Sequence, residues 1–490
     1  MSSTFGGLNT ARTALWASQR GLDVTGQNIA NVNTDGYSRQ RVELRAMGGT
    51  AVPAIHSVSS PVGNGVNADQ VIRIRDVFLE RRGQVETART AQLAQVSGAL
   101  GTVEAALREP GDSGLQSMLA DVWAGFSAVS SSPTEAGARR EVLERLETLA
   151  AGMRTTRNTL DGQWTQTRDD LLVLAADVNA TSASIADLNT QIRQAVRSGL
   201  PSNELSDRRD LLVMQLSEKV GATAVPGSDG MVDVVVGGTT LVASGAALGV
   251  RVAGVDGPDG LGGGDDPRLV TAPGATTLAV GGTAGGRLTV LTDTLPRYRE
   301  ALDQLARELV QDLNAVHAGG LDSTGVSHQG GWDLAGNPGT VLLDDGSGSP
   351  TFAVADVNAG NITVRITSPE KLAAAALGGA DLNGKVSADG RNADVFSQLG
   401  SRSGGVDADY RQLVVSLGVE SAVATRDLQV QTVISTQVDA ARESASGVSL
   451  DEEMTNMLSF QHAYSAAARM VTAIDEALDV LINRTGLVGR

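Results

Sequence analysis

The amino-acid sequence predicts a mainly α-helical, elongated, multi-domain protein with β-rich segments inserted into a helical rod. Three observations lead to this fold class: apolar stripes with helical spacing at both ends, long helical patterns between them, and two stretches of short Val and Thr runs separated by glycine. Because 41% of the residues are hydrophobic but only 3% are aromatic, the cores must consist of small aliphatic side chains. Such cores suit long, thin helices.

The first helix is predicted by a stripe whose members step by threes and fours along one face. The stripe consists of Leu8, Ala11, Leu15, Ser18, Leu22, Thr25 and Ile29. Gly21 and Gly26 weaken this helix by about 1 kcal/mol each relative to alanine, so it would be marginal alone. We therefore expect it to need a partner helix.

The stretch ANVNTDGYSRQ, residues 30 to 40, predicts a sharp turn after this helix. Ala30 to Asn33 end the helix, and Asp35-Gly36 permits the positive φ of a tight turn. Tyr37 to Leu44 then leave as a short strand. An ordinary helix-to-strand turn would have the same geometry, so the turn alone does not reveal a function.

Between the two ends, helical periodicity alternates with β patterns. Helices are predicted over Asp76 to Val220, Leu291 to His317 and about Asp407 to Ala445, with breaks at Glu109-Pro110-Gly111 and Ser132-Pro133. The β-rich stretches are 221–290 and 338–367, and the glycine-rich block at 255–267 is predicted to be a flexible loop. The middle of the chain therefore reads as a helical rod with small β-rich insertions.

A second stripe near the end of the chain predicts a helix about 50 Å long if it is unbroken from 450 to 483. Its members are Leu450, Met454, Met457, Gln461, Tyr464, Ala468, Val471, Ile474, Leu478 and Leu481. Ser449 can cap this helix with Glu452 in capping-box register. Each stripe alone fits a helix packed on its own domain. Taken together, their matching register favours pairing as a coiled coil.

Charge and composition exclude several classes of partner. The formal net charge of -17 would repel nucleic acid and anionic lipid, so neither nucleic-acid binding nor membrane insertion is expected. The chain has no cysteine, which excludes disulfides and thiolate sites. Its start has neither a basic leading segment nor a continuous apolar run, so we expect no cleaved secretory signal. The protein either stays in the cytoplasm or leaves by a route that reads no cleavable signal.

The motifs that could carry chemistry are weak. GADLNGKV, at Gly379 to Val386, has the glycine and lysine spacing of a phosphate loop but lacks its Ser or Thr and follows no strand. The cluster GGGDDP occurs once, whereas calcium-binding repeats need stacked copies, so it is interpreted as a surface loop rather than a calcium site. The four histidines are separated in sequence, and no metal-binding pair is formed by His56, His317, His328 and His462.

Adjacent carboxylates do not converge on one bond, because neighbouring positions on a helix point about 100° apart. The pairs Asp169-Asp170, Asp344-Asp345 and Glu452-Glu453 are therefore assigned to solvated faces or helix starts. No nucleophile elbow marks a Ser, His and Asp trio. We expect no catalytic residue, no cofactor and no metal, and hence no enzyme.

The opening segment resembles the N-terminal segment shared by the axial proteins of the bacterial flagellum. That motif, Ala-Asn, two residues, Thr, any residue, Gly-Tyr, is matched by Ala30, Asn31, Thr34, Gly36 and Tyr37. Four further stretches are similar to the hook-associated protein 1 family. They are NELSDRRDLLVMQLSEKVGATAV at 203–225, ELVQDLNAVHAGGLDSTG at 308–325, ITSPEKLAAAA at 366–376, and VSLDEEMTNMLSFQHAYSAAARMVTAIDEALDVLINRTG at 448–486.

The resemblance implies the first junction protein between flagellar hook and filament, polymerising into a short tubular ring. Implied partners are identical subunits, hook protein, the second hook-associated junction protein, and a flagellar export chaperone at the C-terminal helix. It also implies an extracellular flagellar location, reached by type III export without a cleaved signal. The alternatives left open are hook protein or flagellin, and a secreted binding protein such as an adhesin; an enzyme is more distant.

This interpretation divides the chain into three parts. Residues 1–47 and 449–490 form a channel-lining terminal coiled coil; 48–220, 291–320 and 369–448 form the helical rod; and 221–290 and 321–368 form outer β-rich insertions. The expected assembly interface consists of Leu8, Leu15, Leu22, Ile29, Ala30, Asn31, Thr34, Gly36, Tyr37, Leu450, Met454, Met457, Tyr464, Val471, Ile474, Leu478 and Leu481.

Overall fold

The computed structural model of the protein describes residues 4–48, 63–327, 341–347, 353–377, 388–480 and 482. Four features singled out in the sequence lie outside the described residues: Leu481, His56, His328 and the phosphate-loop-like stretch at 379–386. Long helices dominate the described chain and small sheets are inserted between them. The predicted fold class is confirmed.

The helices follow the predicted periodicity closely. They are α1 (Thr4–Ala30), α2 (Val77–Leu107), α3 (Leu115–Ser131), α4 (Ala136–Arg197), α5 (Asn203–Val220), α6 (Gly282–Thr289), α7 (Leu295–Ala318), α8 (Arg391–Leu399), α9 (Val406–Ser446) and α10 (Leu450–Asp479). The predicted breaks fall between α2, α3 and α4. The short helices α6 and α8 were not predicted, because eight and nine residues give too few turns for a periodic pattern, and α6 lies at the end of the stretch predicted to be β-rich.

The strands are short and most pair with the next strand in sequence, whereas β9 pairs with β12. They are β1 (Gln40–Ala46), β2 (Val66–Arg73), β3 (Thr223–Pro226), β4 (Val232–Val236), β5 (Thr239–Ala243), β6 (Ala246–Ala247), β7 (Gly249–Ala253), β8 (Arg268–Ala272), β9 (Gly320–Leu321), β10 (Leu343–Asp344), β11 (Thr363–Val364) and β12 (Ala375–Ala376). Strands β3 to β6 form an antiparallel meander, while β1–β2 and β7–β8 are antiparallel pairs. Strand β1 begins at Gln40 rather than Tyr37, because residues 37 to 39 bond to other elements.

One continuous hydrophobic core runs through the rod. It joins α2, α3, α4, α7 and α9, and fully buried side chains include Leu100, Leu146 and Leu309. Phe126 of α3 stacks on Phe396 of α8 with ring centroids 4.3 Å apart. A separate small cluster of Ala17, Val42 and Ala68 fastens the β1–β2 hairpin to α1. The terminal elements are therefore a unit with little apolar core of its own.

Helix α4 has 62 residues and is about 93 Å long, which makes the molecule elongated. Within the described residues, α4 is also the helix that is long and apolar enough to cross a membrane, judged by length and composition alone. Its Leu171, Val178 and Ile185 are buried against other parts of the protein. This packing is that of a core helix.

A π-helical segment at Val290–Thr294 joins α6 to α7. Pro296 has no N–H to give to the carbonyl of Thr292, and its ring crowds that turn. The buried Trp164 indole donates to the carbonyl of Leu291 at 3.0 Å. The helix thus begins before the predicted Leu291, and the irregular turn accommodates both proline and tryptophan.

The glycine-rich block at 255–267 is not held as loosely as its composition suggests. Arg168 contacts the carboxylate of Asp256, and Arg299 contacts that of Asp259. Arg157, itself buried, lies 3.6 Å from the same Asp259 carboxylate. The predicted flexible loop is therefore pinned to α4 and α7 by arginines that are far away in sequence.

Candidate assembly interface

The terminal helices α1 and α10 lie side by side and run antiparallel. A Cβ added at Gly7 would lie 3.4 Å from Ile474, whereas one added at Gly21 would lie 2.5 Å from the Phe460 ring. Only glycine at position 21 leaves room for that ring. The pairing predicted from the two stripes is confirmed, and Gly21, which weakens the isolated helix, is what permits close contact.

The face of α10 that meets α1 is offset from the predicted stripe in its first half. Its buried and half-buried heptad positions are Glu453, Met457, Phe460, Ala467, Val471, Ile474 and Leu478. Leu450 and Met454 are 51% and 56% exposed, so pairing with α1 does not involve them, and Tyr464 lies at the edge. On α1 the predicted Leu8, Leu15, Leu22 and Ile29 are half-buried.

Five residues form a hydrogen-bond network at the end of α1, the terminal clasp: Asn28, Tyr37, Arg39, Gln40 and Glu453. The Asn28 amide nitrogen donates to the Gln40 carbonyl oxygen at 2.9 Å and to the Glu453 carboxylate at 3.0 Å. The Asn28 amide oxygen accepts from the Tyr37 hydroxyl at 2.8 Å and from the Gln40 N–H at 3.0 Å. One buried asparagine thus joins helix, turn, strand and C-terminal helix.

Arg39 closes the terminal clasp. Its Nε donates to the Glu453 carboxylate at 2.8 Å, and its backbone N–H donates to the Ser446 carbonyl oxygen at 2.9 Å. Glu453 is only 2% exposed, so this pair is shielded from solvent. The residues are 414 positions apart in sequence. The clasp therefore fixes the start of α10 to the strand that leaves α1.

Burial, followed by the negative charges of Asp207 and Glu453, raises the pKa of Tyr37 to about 12. The hydroxyl therefore keeps its proton at neutral pH and can donate it to Asn28. An ionised tyrosine could not make this bond. Burial and the two nearby carboxylates thus keep Tyr37 protonated, so that it remains a hydrogen-bond donor in the terminal clasp.

The start of α10 differs from the predicted capping box. Ser449 is the N-cap residue, but its side chain makes no capping hydrogen bond. Glu452 instead pairs with Arg39 at 2.6 Å, and Glu453 lies buried rather than on a solvated face. Of the two readings given for Glu452-Glu453, the helix start holds for both residues, whereas a solvated face is wrong for Glu453, because a distant arginine supplies its buried partner.

The turn after α1 is held by its own short polar side chains. The Thr34 N–H and hydroxyl donate to the carbonyl and side-chain oxygens of Asn31, at 2.9 Å and 3.2 Å. Gly36 has a φ of +78°, and a Cβ added there would lie 3.2 Å from the Cβ of Leu211 on α5. Ala30, the last helical residue, is exposed. The turn thus presses against the rod at a position that needs glycine.

A second polar network connects the β1–β2 hairpin to the rod. Arg73 of β2 contacts the carboxylates of Asp207 and Asp210 on α5 at 2.8 Å and 2.9 Å. Arg75 bonds to Asp210 and reaches Glu80 at the start of α2, at 2.7 Å. Burial alone would raise the pKa of Asp210, but the surrounding guanidinium groups lower it. The hairpin is therefore tied to the rod by ion pairs rather than by an apolar core.

Sequence reasoning missed three residues that join the terminal elements: Asn28, Arg39 and Phe460. Asn28 gave a usable signal, since asparagine is unfavourable inside a helix unless its side chain has a specific partner. Phe460 lies seven residues after Glu453, so a heptad pattern started at Glu453 would have included it in the predicted stripe. Arg39 gave no local signal, because its partners lie at the other end of the chain.

Three family models match the chain. The model described as flagellar hook-associated protein FlgK helical domain matches residues 100–334. The flagella basal body rod protein model matches 8–37, which is α1 with its turn. The flagellar basal body rod FlgEFG protein C-terminal model matches 441–484, which includes α10. The two terminal models thus cover the paired helices.

Full-length relatives are similar to the chain from end to end. Flagellar hook-associated protein 1 of Bacillus subtilis is 32% identical over 100% of both chains. That of Escherichia coli is 25% identical over 97% of this chain and 99% of its own. A solved structure, the flagellar hook junction protein FlgK from Burkholderia pseudomallei, has the same fold, with a TM-score of 0.61 and 15% identity over 74% of this chain and 100% of that chain. The chain belongs to the flagellar hook-associated protein 1 family.

Proposed function

We propose that this chain is a subunit of a short tubular junction in which identical copies adapt the flexible hook to the filament. The family, whose members are structural flagellar proteins, supports this role. The observation within the chain that carries the proposal is the pairing of α1 with α10, locked by the terminal clasp. A joint between two assemblies needs subunits whose terminal helices are fixed in the same arrangement in every copy.

The exposed apolar residues of α10 support self-assembly. They are Leu450, Met454, Leu458, Tyr464 and Met470. Exposed apolar groups in such number on one helix indicate contact with another molecule. In the proposed tube, residues 1–47 and 449–490 line the channel, 48–220 with 291–320 and 369–448 form the rod, and 221–290 and 321–368 lie outside. Hook protein would lie below the ring and the second junction protein above it.

The test is deletion of the gene followed by complementation. Cells without the chain should make hooks but no filaments and should release flagellin into the medium, and the intact gene should restore filaments. A variant, Leu450→Asp, changes an exposed residue and should fail to restore filaments although the chain folds stably. Normal filaments in the deletion strain would refute the junction role.

We also propose that α10 binds a helical export chaperone before assembly, because its apolar side would otherwise be exposed in the cytoplasm. Met454 and Met457 suit a surface that packs against different partners, since methionine adapts its shape. Leu478→Asp should weaken both the chaperone complex and the assembled state, each buried apolar side chain contributing roughly 1.5 to 3 kcal/mol. Chaperone binding that survives removal of residues 450–490 in a pull-down would contradict this.

Export without a cleaved signal is the remaining part of the proposal. It predicts that the chain recovered from isolated flagella outside the cell has the same N-terminus as the chain inside. Mass spectrometry of both samples measures this directly. A shortened N-terminus on the external chain would show that a leader is removed.

A further inference from the structure

Helix α9 has apolar side chains on two opposite faces. One face is buried in the rod through Leu417 and Val438. On the other face lie valines that are each more than half exposed: Val415, Val419, Val423, Val430 and Val433. Their spacings of four, four, seven and three keep them on one side of the helix, and we name them the valine ridge. A surface helix is normally polar on its outer side, so the valine ridge indicates a contact with another molecule.

A groove of about 530 Å³ lies between α2 and α4, away from the terminal elements. Small side chains line much of it, including Ala94, Gly98, Thr102, Thr159 and Gly162. A Cβ added at Gly98 or Gly162 would meet nothing within 4 Å. Packing within the chain therefore does not require these glycines, although each weakens its helix by about 1 kcal/mol relative to alanine. Their absence of side chains leaves room for a close approach from outside.

The first three valines of the valine ridge and the α2–α4 groove match in length. Val415 to Val423 spans about 12 Å along α9, and Ala94 to Thr102 spans the same distance along α2. Val415, Val419 and Val423 repeat every four residues, as Ala94, Gly98 and Thr102 do, and this is the spacing at which the ridge of one helix packs into the groove of another. Val430 and Val433 extend beyond the matched length. The branched valines supply the bulk that the small groove residues lack.

Their charges match as well. Arg426 is exposed within the valine ridge, one turn beyond Val423, and has no ion pair within the described ranges. Asp170 lines the end of the groove, where its carboxylate accepts from Gln166 at 3.0 Å and lies 3.7 Å from Arg287, which also lines the groove. The exposed Asp169 is its neighbour on α4. If α9 of one molecule lies along the groove of another, Arg426 reaches these carboxylates while Val423 lies near Gln166. Together Asp169 and Asp170 outweigh the charge of Arg287 at this end of the groove, so Arg426 is attracted there.

We propose that the valine ridge of one copy of this chain docks into the α2–α4 groove of the next copy. The two surfaces are different parts of the molecule, so the contact is heterologous and can continue from copy to copy around a ring or along a helix. The inference rests on the proposed function as a self-assembling junction, and it names the rod surfaces through which neighbouring copies meet.

Disulfide crosslinking tests the contact cleanly, because the native chain has no cysteine. Two full-length variants, one with Val419→Cys and the other with Gly162→Cys, are produced together in the same cells. Hooks are then isolated and oxidised, and the covalent dimers are measured. The matched control replaces Val419→Cys by Thr432→Cys, an exposed position of α9 outside the valine ridge. We expect at least tenfold more dimer from the ridge pair than from the control pair.

The outcomes separate this inference from the proposed function. Normal recovery of both cysteine chains with the hooks, without dimer above the control, would overturn the ridge contact and leave the junction role intact. If the native chain is absent from isolated hooks, the junction role fails and the inference fails with it. A photo-crosslinker attached to the thiol of the Val419→Cys chain that joins a different protein instead of a second copy would also overturn the inference.

A charge exchange tests the register. Arg426→Glu should lower the amount of chain retained on hooks at least fivefold, and Asp169→Arg in the same chain should restore it. Both positions are exposed, so circular dichroism should show unchanged folding. Loss of retention without restoration by Asp169→Arg would overturn the proposed register of the two surfaces.

Discussion

Replacing Glu453 by alanine should separate the stability of the terminal pair from that of the rod. The change removes the acceptor of Arg39, at 2.8 Å, and one acceptor of Asn28, at 3.0 Å. Removing one partner of a buried ion pair typically costs about 3 to 5 kcal/mol. Because Arg39 is partly exposed and keeps its contact with Glu452, we take the lower end, about 3 kcal/mol. The loss should be local, since the terminal elements share little apolar core with the rod.

Hydrogen exchange followed by mass spectrometry measures this effect segment by segment. A loss of about 3 kcal/mol corresponds to exchange up to roughly a hundredfold faster, and we expect it at the end of α1 and the start of α10. Peptides around Leu146 and Leu309 should be unchanged. Glu452→Ala is the control, because its exposed pair should contribute less than about 1 kcal/mol. Equal effects of the two variants, or faster exchange throughout the rod, would refute the role given to the terminal clasp.

Three further predictions concern the same elements. Gly21→Ala should loosen α1 from α10, because the added methyl group would lie 2.5 Å from the Phe460 ring, and adding Phe460→Leu should recover exchange protection; equal protection in both variants would argue against this fit. Gly36→Val should block assembly on hooks while the rod melts normally, because φ is +78° and Leu211 leaves little space; normal motility would contradict it. The difference in absorbance between the parent and Tyr37→Phe should titrate near pH 12 rather than 10, since burial raises this pKa in the folded state. The stability contributed by the retained proton is complete below about pH 10 and is lost between about pH 10 and 12, so the parent's melting temperature should fall more steeply there than that of Tyr37→Phe.

The long elements could be predicted because their signals are local. Periodic apolar positions gave the helices, and Glu109-Pro110-Gly111 and Ser132-Pro133 gave the breaks between α2, α3 and α4. The turn after α1 could be predicted because Asp35-Gly36 favours the positive φ of a tight turn. The pairing of α1 with α10 could be inferred from two stripes in similar register, since each needed an apolar partner.

The sequence could not show which polar groups bond to one another when they lie far apart along the chain. Glu453 looks like any acidic residue at a helix start until Arg39 and Asn28 are placed beside it. The block at 255–267 looks flexible until Arg168 and Arg299 meet its aspartates. In α10, stripes begun at Leu450 or at Glu453 are both plausible heptads, and only the position of the Phe460 ring over Gly21 selects one.

The separation of Asn28 from Glu453 by 425 residues also determines when the ends of the molecule can take shape. A chain made from its N-terminus has no α10 to offer until nearly all of it has been synthesised, so α1 stays without its helical partner during most of that time. Helices α2 to α5 of the rod contact their neighbours over much shorter loops, and closing short loops is entropically easier. Helix α9 reaches back to α2 across 345 positions, from Gln431 to Glu86, but it is made before α10. The rod should therefore form first and the two ends last. A chain that stops before α10 would keep a folded middle and a first helix with nothing to hold it.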